Sequence, residues 1–579
     1  MKMRVLLLLV LSTALRPPAF AQTDFSGEWF PLAHEDREVD RRGGAAIGDY
    51  TGLPINEAAR MRADNYDASV FASPEWQCRP HGVDFIPLGL SELRIWKEID
   101  PVTQQFVAWR MHWLRSASDR AIYMDGRPHP PEYAAHTWEG FSTGKWEGNM
   151  LRITTTHMKE DYLRRNGVSR SSFATLSELL FVHGDYLTWT TIIYDPAYLT
   201  EPMIRNASYI RVPHQQMPAY PCPVVTEVVR PKGTVPHHLP GKNPDLREFA
   251  EKAGIPFEVT RGGAETMYPE YPSKVSRTAV SDTRAQSPNA ELHIWPVHGN
   301  VYMLVGAGGN ITLSVGKDGV LLVDSGPAEM SDKVMAAIQE FTRQRDPNGP
   351  PLPIRYIINT QVDADHTGGN LKINESNLFK PLEGGEAIIA HDNVLKRMIE
   401  GGNARPLHAQ PTDTYLTEQY KLNRFFNGEG VQIIHVPAAH TDGDSIVWFR
   451  FSDVISTGDV FTDSYPVIDL QRGGSIQGTI DALNRIIDLV FPEFRVQGGT
   501  MLIPGHGRLC DLTDLAYYRD MVTIVRDRIQ DMIKRGMTLD QVKAAGITAD
   551  FDPVYGRNPG SSEQFVEAAY RSLSQRKPQ

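Results

Sequence analysis

Cysteine is scarce in this chain: Cys78, Cys222 and Cys510 are the three in 579 residues. So few exclude a disulfide-stapled miniature fold and leave room for one bridge, Cys78 with Cys222, or for unpaired buried thiols. Basic residues are in deficit too. Lysine and arginine number 59 against 70 acids, a formal net charge of -11, and without a basic stripe the chain is not built to neutralise a nucleic-acid backbone. After residue 21 no apolar run approaches the roughly 20 residues a membrane-spanning helix needs. The partner that remains is a small molecule.

The one early apolar run, residues 5–11, follows Lys2 and Arg4. It is succeeded by Arg16, Pro17 and Pro18 and by the small-x-small site Ala19, Phe20, Ala21. That order is the pattern of a secretory signal cleaved after Ala21, so the expected location is periplasmic or secreted, with no membrane span after cleavage.

What the chain does have is apolar content, 41% with 9% aromatic, enough for more than one core. The expected domains are a signal at 1–21, a β-rich domain at 22–230, a linker at 231–289, an α/β domain at 290–525 and helices at 526–579. In 22–230, runs at 93–97, 106–113, 150–156 and 186–194 alternate apolar and polar residues between turn clusters, which predicts a sandwich or barrel. Its histidines, His81, His112, His129, His136, His157 and His183, lack short metal-ligand spacing. The segment RPHPPEYAAHTWEG (127–140) has the composition of a binding loop. Residues 231–289 shift to proline, glycine and lysine around a short predicted helix at 244–252, the signature of a connector.

From His293 the rhythm changes. Apolar runs at 301–305, 311–315, 320–324 and 354–359 surround a helical stretch at 331–343. A second series, 431–436, 445–451, 454–457 and 501–503 with a helix at 475–490, repeats the order. Runs ending in Asp, Asn or Gly beside amphipathic helices predict an α/β sandwich with its chemistry at the strand ends. Helices follow at 515–534 and 539–545, and the tail from residue 551 reads as a peripheral helix with a frayed end.

Those strand ends carry metal-ligand residue types. TQVDADHTGGN (360–370) delivers Gln361, Asp363, Asp365 and His366 into one turn, a cluster no apolar core tolerates unpaired. PAAHTDGD adds His440, STGDVF adds Asp459 and IPGHG adds His506, each after an apolar run. Helix capping accounts for one such turn, not for four.

On these motifs residues about 293–525 resemble the metallo-β-lactamase-fold superfamily, together with Asp324 of LLVDSG and the AHDNV segment at His391. The resemblance implies an αββα sandwich and a ligand pattern of His, any, His, any, Asp, His, then a later His, a bridging Asp and a last His. Gln361 and Asp363 depart from that pattern, standing where it has two histidines. The resemblance then implies one ion at Asp363 and His440 with Gln361 marginal, and one at Asp365, His366 and His506, with Asp459 bridging. Two divalent ions are expected, zinc first, with manganese or iron admitted by the oxygen-rich set.

The implied activity is hydrolysis of an ester, lactone, amide or thioester by a metal-activated water, with Asp365 managing its proton. Gly473, Gly474 and Ser475, opening a helix, are candidate backbone donors to a substrate anion. The alternatives are a non-catalytic binding protein with a degenerate centre and, against the lack of a flavin-binding pattern, a two-iron redox protein. The FSGEW opening (25–29) is similar to uncharacterised exported bacterial β-rich domains.

Overall fold

The computed structural model describes residues 23–32, 45–88, 91–114, 119–219, 221–267, 291–382, 387–400, 404–422, 424–491 and 499–575. The signal expected at 1–21 lies outside them. Among the described residues no helix is long and apolar enough to cross a membrane.

Of the two β-rich architectures expected for the first domain, the structure shows a closed barrel. Nine strands run round it in the order Gly27–Pro31, Met203–Arg211, Tyr186–Tyr194, Thr175–His183, Met150–Thr156, Phe141–Glu147, Arg120–Tyr123, Phe106–Trp113 and Leu93–Ile99. The alternation read from the sequence is what closes it. Along Tyr186–Tyr194, Leu187, Trp189, Thr191 and Ile193 are buried and their neighbours are not, so one face fills the lumen. Phe25, Trp29, Trp109, Trp113 and Trp189 are among the largest side chains buried there. Among them lies a buried pair, with Arg120 Nη1 donating to Glu178 Oε1 at 3.0 Å. Trp189 Nε1 also donates to that oxygen at 3.0 Å, and Arg120 reaches Ser142 Oγ and Thr155 Oγ1. Closure leaves no sheet edge exposed.

The second domain stacks two sheets. One has seven strands, His293–His298, Val301–Val305, Ile311–Gly316, Gly319–Val323, Ile354–Ile358, Ile388–His391 and Asp413–Tyr415, in sequence order. The other has five, Gln419–Lys421, Val431–His435, Ser445–Phe449, Val454–Gly458 and Met501–Pro504. Val301–Val305 and Gly319–Val323 are buried throughout because both of their faces are covered. Three cores show the layering. Met303, Leu321, Ile433 and Val447 pack between the sheets. Val334 and Ile338 of the helix Ser331–Arg345 cover the outer face of the first. The helices Ile476–Leu489, Leu512–Lys534 and Ser561–Ser574 cover the second. The chain is therefore α/β overall, an αββα sandwich after a barrel, with helices behind.

Two expectations are corrected. The tail is not peripheral: Phe565, Val566 and Ala569 of Ser561–Ser574 are buried in the core that covers the second sheet. The segment 127–140 is not a free binding loop: Tyr133 and Ala135 pack on the core between the two sheets, and Leu509 N donates to Tyr133 O at 3.0 Å. Buried Lys159 of the barrel region also pairs with Asp511, and Trp76 Nε1 donates to Asp520 Oδ2 at 3.0 Å. Cys78 and Cys222 form a disulfide, while Cys510 is free and buried.

Candidate metal centre

The strand Ile354–Ile358 runs into Asn359, and the chain then turns through 360–363 into the short helix Ala364–Thr367. This turn is pressed against the loop after Gly319–Val323. A Cβ on Gly369 would lie 2.3 Å from Ser325 O, so only glycine allows the approach. The contact brings Asp324 under the ligand turn. Asp324 Oδ1 accepts from Thr360 N at 2.8 Å, and its Oδ2 lies 2.7 Å from both Thr360 Oγ1 and His366 Nδ1.

The remaining ligand types arrive from the other sheet, His440 after Val431–His435, Asp459 after Val454–Gly458 and His506 after Met501–Pro504. Asp365, His366, Asp459 and His506 offer ligand atoms that all lie within 4.8 Å of one another. Within this group His366 Nε2 is 3.2 Å from Asp459 Oδ2, His506 Nε2 is 3.2 Å from Asp365 Oδ2, and His506 Nε2 is 3.5 Å from Asp459 Oδ1.

Charge follows from that crowding. Burial opposes a proton on His366, but the carboxylates of Asp459 and Asp324 outweigh it and raise its pKa well above the usual imidazole value. Burial likewise opposes a proton on His506, and Asp365 and Asp459 overcome it. Contact with His506 holds the Asp365 carboxyl below its ordinary range. Asp459 is buried, which favours its neutral form, yet the three imidazoles of His366, His506 and His440 keep it strongly acidic. A divalent cation would satisfy the same carboxylates in place of imidazolium charge.

The donor set fits such an ion. His366 Nε2 and Asp459 Oδ1 are buried without a hydrogen-bond partner, although buried polar atoms are nearly always satisfied. Two imidazoles and two carboxylates suit zinc, and suit manganese or iron as well. Asp324 fixes His366 from behind, an outer-shell carboxylate that orients the ring and leaves Nε2 for the ion.

Gln361, Asp363 and His440 sit beside this group with different partners. Gln361 Nε2 donates to Asp459 Oδ2 at 2.6 Å. Asp363 Oδ1 accepts from Arg472 Nη1, and Asp363 Oδ2 lies 3.4 Å from His440 Nε2. His440 Nδ1, 3.8 Å from Asp459 Oδ2, and Gln361 Oε1 are both buried without a hydrogen-bond partner. Arg405 backs the turn, donating to Val362 O at 2.7 Å and to Thr367 Oγ1.

Two of the three expected anion donors at 473–475 are used internally. Gly474 N donates to Asp469 O at 2.8 Å and Ser475 N to Ala438 O at 3.0 Å, while Ser475 Oγ caps the helix at Gly478 N. Cys510 lies outside the ligand group, with Sγ donating to Arg508 O at 3.3 Å. Sequence reasoning missed the roles of Arg472 and Arg405. Arg472 stands 109 residues from the carboxylate it meets, and the signal in the sequence was a lone arginine before two glycines.

Residues 304–492 match the model of the Metallo-beta-lactamase superfamily. Among solved structures the chain is similar to the stereoselective inverting sec-alkylsulfatase Pisa1 from Pseudomonas sp., at 14% identity over 48% of this chain and 50% of that one, with a TM-score of 0.36. It is similar to the DIM-1 metallo-beta-lactamase at 16% identity over 40% of this chain and 97% of that one, TM-score 0.31. It is also similar to a metallo-beta-lactamase from Pontibacter korlensis at 15% identity over 40% and 99%, TM-score 0.30. The chain spans about half the length of the alkylsulfatase it matches. None of the curated proteins compared with the chain matches it.

Proposed function

We propose, on the premise that residues 304–492 of this chain belong to the metallo-beta-lactamase superfamily, that the protein is a divalent-metal-dependent hydrolase of a small-molecule ester, lactone, amide or thioester. The observation that carries this reading is the convergence of Asp365, His366, Asp459 and His506 within 4.8 Å. An ion held by these four residues would supply Lewis acidity and the means to activate a water. Zinc is the first choice, with manganese or iron compatible with the two carboxylates.

The chain's own groups do the rest. Asp324 occupies His366 Nδ1 and so presents Nε2 as a donor atom. Asp459 is held ionised between three imidazoles, which gives the centre a permanent negative ligand. Asp365 has the most exposed side chain of the four, at 39%, and is the carboxylate placed to orient a water and take its proton. Export is part of the proposal: the leader pattern at 1–21 supports it, and the Cys78–Cys222 bridge suits an oxidising compartment.

The test is metal content by mass spectrometry after purification without added metal, for the wild type and Asp459→Asn, beside hydrolysis of chromogenic esters, lactones and thioesters. The wild type should carry a divalent ion. Asp459→Asn should lose it, and lose activity by more than the roughly 10–100-fold that an outer-shell change costs. A wild-type protein that holds no divalent ion overturns the reading and favours a binding protein instead.

A further inference from the structure

The group at Asp365, His366, Asp459 and His506 is complete in itself, so the neighbouring residues raise a separate question. Gln361, Asp363 and His440 were expected to hold a second ion. Of these three, the carboxylate, the strongest claim on a cation, is already engaged by the protein.

The Asp363 carboxylate is bound by the Arg472 guanidinium through Oδ1. Arg472 is not a loose surface side chain. Its Nε is 2.9 Å from Asp469 Oδ2, and Asp469 Oδ1 caps the turn Leu470–Arg472 by accepting from Gln471 N at 2.9 Å and Arg472 N at 3.0 Å. Gly473 leaves that turn with φ +83°, where a Cβ would lie 2.9 Å from Asp442 Cβ, so the guanidinium is delivered by a backbone with little freedom. A guanidinium does not lose its proton in a protein. It is therefore a fixed positive charge bonded to the carboxylate that a second ion would need.

The other two donors are poor substitutes. Gln361 spends its amide nitrogen on Asp459 Oδ2 at 2.6 Å, and a neutral amide oxygen is a weak ligand beside imidazole or carboxylate. His440 alone remains, one imidazole against two imidazoles and two carboxylates in the completed group.

We infer that the centre holds one divalent ion, at Asp365, His366, Asp459 and His506, and that the Arg472 guanidinium stands in for a second. The assignment rests on the hydrolase reading above and narrows it. Arg472 uses Nη1 on Asp363 and Nε on Asp469, which holds its positive charge against the ligand turn. Asp363, in turn, is a positioning residue for Arg472 rather than a ligand.

The experiment is zinc titration of the chelator-stripped full chain by calorimetry, with cobalt(II) absorption as a second readout and circular dichroism to verify folding. The wild type should bind one equivalent. Asp363→Ala should keep that equivalent with a Kd within about threefold of the wild type, since a carboxylate bonded to arginine is not a ligand. The triple variant Gln361→His, Asp363→His, Arg472→Ala should bind two. Two tight equivalents in the wild type, or loss of the single ion in Asp363→Ala, overturns the assignment while leaving the hydrolase reading intact. A wild type that binds none overturns that reading itself.

Discussion

At the scale of single residues, the centre depends on groups that touch no ion. Asp324 is the clearest. It sits at φ +64°, a backbone region that aspartate and asparagine enter more readily than other side chains, and both of its oxygens accept from Thr360 while one also reaches His366. Asp324→Asn keeps the backbone and removes the second acceptor. Ion affinity measured by calorimetry should fall about 10–100-fold with the fold unchanged; an unaltered Kd would show that His366 is oriented by packing alone. The sequence displayed Asp324 within LLVDSG but not its job, because a hydrogen bond across 42 residues leaves no local pattern. The four convergent ligands were legible for the opposite reason. Each comes within a few residues of the end of a buried strand, so residue type and strand ending together located them. Arg472 was invisible because an arginine beside glycines is ordinary in any turn.

At the scale of elements, alternation in the amino-terminal region foretold strands but not whether they would close. Closure depends on the shear between strands and on what fills the lumen, and neither is written in a period of two. The lumen also holds the Arg120–Glu178 pair, both side chains fully buried. Removing one partner strands the other charge without solvent. Arg120→Met should therefore destabilise the barrel by roughly 3–5 kcal/mol in urea unfolding, and adding Glu178→Leu should recover much of the loss. If the double variant is no more stable than the single, the pair is irreplaceable for reasons beyond its charge. The sandwich strands were easier. Runs such as Val301–Val305 and Val431–His435 are covered on both faces or nearly so, and continuous burial writes itself as continuous apolar sequence. The tail was misjudged because its apolar positions, Phe565, Val566 and Ala569, are few, and their partners lie on helices far away in the chain.

At the scale of the whole molecule, the barrel and the sandwich share one surface. Leu509, three residues after His506, is bonded to Tyr133, and Lys159 is paired with Asp511, which caps the helix Leu512–Lys534. That helix carries Tyr517 against Trp76 at 4.8 Å between ring centroids and Asp520 onto its indole nitrogen. The loop that brings the last ligand is thus anchored at one end to the other domain. Whatever steadies one side of this junction steadies both, because binding to the native state alone is a contribution to its stability. The tryptophans buried in the barrel, Trp29, Trp109, Trp113 and Trp189, then become distant reporters of the ion. Zinc at about 100 times its Kd should add about 2.7 kcal/mol to the native state and raise the melting temperature read from barrel fluorescence, although no barrel strand supplies a ligand. If the fluorescence melt ignores zinc while hydrolysis responds to it, the domains melt independently. If the two move together, the barrel works as a thermodynamic lever, and mutations on its far wall would retune the affinity of a centre they never touch.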